Sequence, residues 1–388
     1  MLKDCILCQL PIPEKTKPEH VLLKALGGRM TVHDIVCPDC NHQMGIGPDH
    51  DLARSTENIR NLADLKAGDG GSAPLIHGLE HQGERFDLEP GMRTRVKAKK
   101  PLDVQFDGDE IRVAIEAFSE KSADGLLKGA ATKIAKQLGH THPAVIDAIE
   151  QDLRKDLRRG YRPAPSVVGH LPFGAGASLQ SMAKACLVLW ARQCGNAEVT
   201  TAKFDEVRSF IRFGKRPDHE TDLLTLDARP LPSCPDQFSC HPVFIWVGSD
   251  ANGAVYGYFR LYGAIGWRFR LTTGGSMPDR RFCLISNPYE NRIWDLLAGE
   301  DNFIDQAWIW RACPPDDADL AHVKSRIGEM IHAAQGQSRE HWIHDFVTQR
   351  LGEENGPVSS EQLEKMVRDF AAAMTSMVLR KRIDVDDV

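Results

Sequence analysis

Cysteines near the start of the chain are the residues best suited to chemistry. Cys5 and Cys8 form one Cys-x-x-Cys pair, and Cys37 and Cys40 form a second. Two such pairs offer four thiolates to one tetrahedral ion, a ligand set that suits Zn²⁺ and leaves no position open for catalysis. In a chain that we expect to be cytoplasmic, paired cysteines favour a metal over disulfides. We therefore predict a structural zinc site.

Groups that could hydrolyse a phosphodiester lie between and after these pairs. Glu19 and His20 are adjacent, and Asn41 directly follows Cys40. An imidazole can accept a proton from water near neutral pH, and carboxylate and amide oxygens suit Mg²⁺ or Mn²⁺. Each residue also has an ordinary interpretation, as a surface acid, a packed imidazole or a helix N-cap. Because adjacent strand residues point to opposite faces, Glu19 and His20 could share a site only at a distorted or terminal strand.

The order of these motifs resembles the HNH endonucleases, the ββα-metal nucleases, and more narrowly their four-cysteine bacterial subgroup. The resemblance covers about the first 55 residues, in which Gly27-Gly28 precedes the second cysteine pair. It implies a hairpin that carries Glu19 and His20, and a helix that begins at the second pair and is tied to the hairpin by zinc. It also implies His20 as general base and Glu19 and Asn41 as ligands of a catalytic Mg²⁺ or Mn²⁺.

One position departs from the family pattern, which usually has an asparagine shortly before the second pair. His33 and Asp34 stand there. We favour Asp34, because a carboxylate can orient the imidazole of His20. His50 lies a short loop downstream, where it could approach the phosphate or simply cap a helix.

Basic residues suggest where nucleic acid could bind. Lys24 and Arg29 lie inside the nuclease loop, and Arg95 and Lys97 lie in a basic run over residues 93–100. A second run, over residues 154–162, ends a predicted helix, where cations also favour the helix dipole. Such residues could neutralise phosphates, although charge runs are more often solvated faces.

Two weaker patterns lie downstream. Cys234, Cys240 and His241 could contribute to a second metal site, but they lack a matching pair, and incidental cysteines are the more common case. Aromatic residues between 246 and 269 fall on predicted strands, where core packing is the default and a ligand pocket the alternative.

Hydrophobic periodicity predicts an α+β protein, in which residues 178–194 form a helix that is apolar enough to be buried. A small N-terminal ββα-metal zinc module precedes a larger α+β domain with an antiparallel sheet and a helical C-terminal region. The predicted boundaries are the nuclease module at 1–66, a linker with a basic end at 67–105, an α+β regulatory or recognition domain at 106–295, and the helical region at 296–388.

Composition limits the function classes. The 388 residues are 42% hydrophobic and 26% charged, which excludes a wholly disordered or collagen-like chain. The sequence shows no long apolar run and no signal-peptide pattern, so we expect a cytoplasmic protein without membrane contact. A net charge of −6 excludes a small, wholly basic DNA-coating protein but permits an enzyme with a local positive patch.

These patterns together predict a metal-dependent DNA endonuclease. The layout suggests restriction or antiphage defence, with the C-terminal domain gating the nuclease in response to a small-molecule or protein activator. A homodimer or higher oligomer would allow both strands to be cut. The alternative is a non-catalytic, zinc-containing nucleic-acid-binding module or partner subunit of a defence complex.

Overall fold

The computed structural model describes most of the chain. The described residues are 3–81, 84–97, 100–108, 110–117, 120–155, 157, 176–215, 223–232, 238, 241–296, 304–351 and 358–379.

The N-terminal elements are short. A two-stranded antiparallel hairpin pairs Glu19 with Val32 and His20 with Thr31, and three helices follow it. Their bounds are β1 Glu19–His20, β2 Thr31–Val32, α1 Pro38–Ile46, α2 Pro48–Ser55 and α3 Glu57–Leu62. The helix α1 begins at the second cysteine pair, with Cys37 as its N-cap and Pro38 in its first turn, where the absent N–H costs nothing.

Two small sheets and a helix pair come next. Strands β3 to β5 form a three-stranded antiparallel sheet, and β6 pairs with β7. Val104, Ala130 and Ile134 form the core between the β6–β7 hairpin and the helices. The bounds are β3 Ile76–His81, β4 Glu84–Glu89, β5 Arg93–Lys97, β6 Leu102–Asp107, β7 Glu110–Ile115, α4 Glu120–Gln137 and α5 Pro143–Lys155.

A six-stranded antiparallel sheet with helices on both faces forms the largest core. Its strand order is β13-β12-β9-β10-β11-β8. The elements are α6 Ser178–Cys194, α7 Asn196–Val199, α8 Asp205–Phe213, β8 Leu224–Asp227, β9 Val243–Ser249, β10 Val255–Leu261, β11 Ile265–Thr272, β12 Arg281–Asn287, β13 Arg292–Leu296 and α9 Gln306–Trp310. Gly257 lets α6 approach one face, because a Cβ there would lie 2.4 Å from the Cβ of Cys186. Trp308 of α9 packs edge-on against Tyr258 on the other face.

Two long helices end the described chain, α10 Asp317–Leu351 and α11 Ser360–Leu379. Phe346 and Phe370 pack edge to face between them. No helix in the described part of the chain combines the length and apolar character needed to cross a membrane.

The chain divides into two compact units, each discontinuous in sequence. One contains residues 1–74 and 170–335, and the other contains 75–169 and 336–388. These limits differ from the boundaries at 66, 105 and 295 that the sequence suggests. Where the sequence indicated a linker, the structure has the β3–β5 sheet, whose strands are too short for a clear periodic pattern.

The predicted α+β class is confirmed, with an antiparallel sheet from the aromatic-rich segments and helices near the C-terminus. The predicted helix at 178–194 is also confirmed. The second basic run beyond residue 157, and Cys234 and Cys240, lie outside the described residues.

Candidate functional site

The two cysteine pairs meet at one point. The Sγ atoms of Cys5, Cys8, Cys37 and Cys40 all lie within 4.8 Å of one another, and those of Cys8 and Cys37 are 3.6 Å apart. Thiolates bound tetrahedrally at about 2.3 Å from one zinc are separated by roughly 3.8 Å. The cluster therefore suits a single zinc ion.

The close approach of these thiols also shifts their ionisation. The hydrogen bond with Cys40 lowers the pKa of Cys5 to about 5, whereas burial raises the pKa of Cys8 to about 11. The interaction with Cys5 also raises the pKa of Cys40. Four thiols this close compete for ionisation, so a cation is needed to hold all of them as thiolates.

The hairpin strand β1 carries both Glu19 and His20. Glu19 is 5% exposed, whereas His20 is half-buried. The loop between the strands closes through Gly27, which has φ of 83°, and Gly28, where a Cβ would lie 1.8 Å from the carbonyl oxygen of Leu22. The Gly-Gly pair is thus required by the turn itself.

A buried lysine from outside the hairpin binds Glu19. Lys184 of α6 donates from Nζ to Glu19 Oε1 at 2.7 Å and to Asp49 Oδ2 at 2.6 Å. Ser181, one helical turn earlier, donates from Oγ to Asp49 Oδ1 at 2.6 Å. Burial alone would lower the pKa of Lys184, but the carboxylates of Asp49 and Glu19 outweigh it and raise the pKa, so the ammonium stays charged. We call Glu19, Lys184 and Asp49 the lysine bridge.

His20 is held in its neutral form. Burial lowers its pKa, and Lys24 and Lys184 add to this effect, while Glu19 and Asp49 oppose it. A neutral imidazole at pH 7 can accept a proton from water.

The other predicted catalytic positions have separate environments. Asp34 has a left-handed φ of 56°, and its carboxylate lies 3.8 Å from Lys3 Nζ. Its carbonyl oxygen accepts a hydrogen bond from Asn196 Nδ2. Neither contact involves His20. His33 is exposed.

Two further module residues lie on helices. Asn41 is partly exposed in the first turns of α1, and its backbone N–H donates to the carbonyl oxygen of Cys37. His50 of α2 is largely exposed and lies 3.7 Å from Asp51.

The residues predicted to contact nucleic acid already have partners within the protein. Lys24 pairs with Asp69 at 2.6 Å, and Arg29 donates to the carbonyl oxygen of Asn291 at 2.7 Å. Lys97 pairs with Asp87 at 2.9 Å, and Arg95 lies opposite Asp87 in the β4–β5 register. Phosphates would have to compete with these partners.

One oxygen of Glu19 could take part in binding a cation. Lys184 occupies Oε1, and no described residue hydrogen bonds to Oε2. A hard carboxylate oxygen fits Mg²⁺ or Mn²⁺. In the described part of the chain, the four cysteines are the only cluster of three or more Cys, His, Asp or Glu side chains that suits a metal. A second cation would therefore depend on Glu19 and Asn41 rather than on an acidic cluster.

Sequence reasoning missed Lys184 and Asp49. A signal for Lys184 exists, because one cation interrupts the otherwise apolar run SMAKACLVLW in a helix expected to be buried. Buried charges are rare unless they are paired. Its partners lie 135 and 165 positions away along the chain, so nothing local identifies them.

Comparison with known proteins bears on the same residues. No curated protein and no solved structure matches the chain. Residues 5–57 match a family model described as HNH endonuclease. That segment contains the hairpin, both cysteine pairs, α1 and α2, so residues 5–57 are similar to the HNH endonuclease family.

Proposed function

We propose that the protein is a metal-dependent endonuclease that hydrolyses DNA. The observation that carries the proposal is the neutral, half-buried His20 on a hairpin that lies between the two cysteine pairs along the chain, within residues that match the HNH endonuclease model. A neutral histidine is the group needed to remove a proton from attacking water.

The roles of the residues follow from their chemistry. His20 takes the proton from water, while Glu19 through Oε2 and the side chain of Asn41 would hold a divalent cation. When bound, that cation supplies positive charge to the scissile phosphate and the departing oxygen. The four cysteines would hold the turn at residues 5–8 against the start of α1 and take no part in the reaction. Lys24 and Arg29 would exchange their internal partners for backbone phosphates, and Arg95 and Lys97 would extend that contact. Asp34 and His33 remain candidates for orienting His20.

Plasmid cleavage tests this function. Wild type and His20→Ala would be incubated with supercoiled DNA at low salt, with Mg²⁺, with Mn²⁺ and with EDTA. We expect wild type to cut only with a cation and His20→Ala to lose at least a hundredfold in rate, the usual contribution of a general base. His140→Ala, which removes an exposed histidine of the other compact unit, is the matched control and should cut normally.

The absence of cleavage would support the alternative function. If wild type binds DNA and one zinc but cuts under no cation, the protein is the non-catalytic binding module or partner subunit instead. Equal cutting by wild type and His20→Ala would remove His20 from the mechanism.

The biological role belongs to the same proposal. A nuclease module joined to a larger α+β region supports restriction or antiphage defence with gating by an activator. The hydrogen bond from Lys184 to Glu19 would connect the nuclease site to that region. A single module nicks one strand, so linear product would indicate a homodimer. Plaque counts on cells that express wild type or His20→Ala test the defence role.

A further inference from the structure

The lysine bridge is built into the fold. Lys184 is 1% exposed, and its two partners are also buried, Glu19 on β1 and Asp49 in the first turn of α2. Ser181 and Lys184 are three residues apart on α6, so they share the side of the helix that meets α2. Both oxygens of Asp49 are used, one by each side chain.

The charge of the bridge is unbalanced. Two carboxylates face one ammonium, which leaves one negative charge in a buried place. The ammonium lies within hydrogen-bond distance of an oxygen from each carboxylate, so it prevents a cation from bridging the two. A cation attracted to this site can reach Glu19 only through its other oxygen.

We propose that Lys184 is a positioning residue of the nuclease site, which holds Glu19 by Oε1 so that Oε2 binds the catalytic cation. This inference rests on the proposed function, because it assigns Glu19 as a cation ligand. Lys184 thereby acts through Glu19 and touches neither substrate nor cation. It also makes the geometry of the site depend on how the hairpin sits against α6.

The inference predicts two effects of opposite sign for Lys184→Met. Without the ammonium, both carboxylates can share one cation, so Mn²⁺ binding measured by electron paramagnetic resonance without DNA should become at least tenfold tighter. The cation then lies in the wrong place, so plasmid cleavage should fall at least tenfold. A purely structural lysine would weaken both. Lys184→Arg keeps the charge and should restore cleavage in part, with Mn²⁺ affinity near that of wild type.

A second variant covers the case in which Lys184→Met does not fold. Lys184→Met/Asp49→Asn keeps the net charge of the bridge and removes the second carboxylate. We expect its Mn²⁺ affinity to return to within threefold of wild type while cleavage stays at least tenfold lower, because Glu19 is no longer held. Zinc content and thermal melting verify folding. Lys203→Met, which removes a partly exposed lysine paired with Glu198, is the matched control.

Different results would refute the role of Lys184 and the proposed nuclease function. Wild-type cleavage by the folded double variant, or unchanged Mn²⁺ affinity in folded Lys184→Met, would refute the role of Lys184. If wild type cuts nothing, the proposed function fails, and the Mn²⁺ measurement alone decides on Lys184: tighter binding in Lys184→Met that Glu19→Gln abolishes supports it, and unchanged binding overturns it.

Discussion

Single side chains decide what the site can do. The thiols of the cysteine cluster are close enough to share one ion, and burial keeps His20 neutral. One oxygen of Glu19 accepts a hydrogen bond from Lys184, and a cation is proposed for the other. At this scale the chemistry depends on which groups are charged, and each charge is set by its immediate neighbours.

Replacing one ligand of the cysteine cluster should release zinc. Cys8→Ser leaves three thiolates, and because structural zinc sites contribute folding free energy directly, we expect substoichiometric zinc and a melting temperature lower by at least 5 °C. Metal analysis and a thermal melt measure this. Cys313→Ser, at an exposed cysteine outside the cluster, is the control. Full zinc retention in Cys8→Ser would show that the ion uses other ligands.

Elements fix the positions of these groups through short-range contacts. The hairpin β1–β2 has only two residue pairs, so its shape depends on the Gly27-Gly28 turn. The β3–β5 sheet likewise depends on a few short-range contacts. Its central strand carries Asp87, which is 3% exposed and accepts hydrogen bonds from the Gly78 N–H and Lys97 Nζ and contacts His77 Nδ1.

The β3–β5 sheet should lose stability in acid. Burial would raise the pKa of Asp87, but its bonds to Gly78, Lys97 and His77 outweigh that and lower the pKa to about 2 from the usual 3.8. A folded-state pKa below the unfolded one adds stability above about pH 4 that is lost as the pH falls through 2.

Asp87→Asn should remove that contribution. We expect a loss of about 1.5–3 kcal/mol in the local free energy of unfolding at pH 7, the usual worth of hydrogen bonds to a charged group. Hydrogen exchange of the strand amides measures it, and the gap between wild type and variant should close between pH 4 and pH 2. A gap that is constant over this range would show that the charge of Asp87 is not the source.

At the scale of the molecule, residues 1–74 and residues 170–335 form one compact unit. The lysine bridge is one of several links between them. Gln9 donates to the carbonyl of Thr200, Asn196 donates to the carbonyl of Asp34, and Ser286 donates to the carbonyl of Gly27. The module therefore gains much of its support from the sheet and helices beside it.

Residues 1–74 alone should bind zinc but fold poorly and cut nothing. They keep all four cysteines but lack Lys184, so the carboxylates of Glu19 and Asp49 lose their buried partner, and a domain of this size has little core of its own. Dispersion in an amide NMR spectrum and plasmid cleavage at equal zinc loading would check this against the full chain. Cleavage at the full-chain rate would contradict the dependence on α6.

The sequence by itself determined the features that depend on local order. The spacing of Cys5, Cys8, Cys37 and Cys40 was sufficient to predict the metal cluster, because ligand geometry needs only two tight turns. The antiparallel sheet and the helix at 178–194 were predicted from periodicity, which is also a local property. His20 was predicted as a base from the resemblance of the motif order to the HNH endonucleases, and its role remains a proposal.

Only the tertiary structure decided which distant groups meet. Lys184 binds Glu19 across 165 positions, and Asn196 donates to the carbonyl oxygen of Asp34 across 162 positions. The environment of a charge depends on long-range packing, which residue types and spacing do not encode in any local pattern. The sequence therefore indicates which groups can react, and the fold decides which of them are held, neutralised or left available.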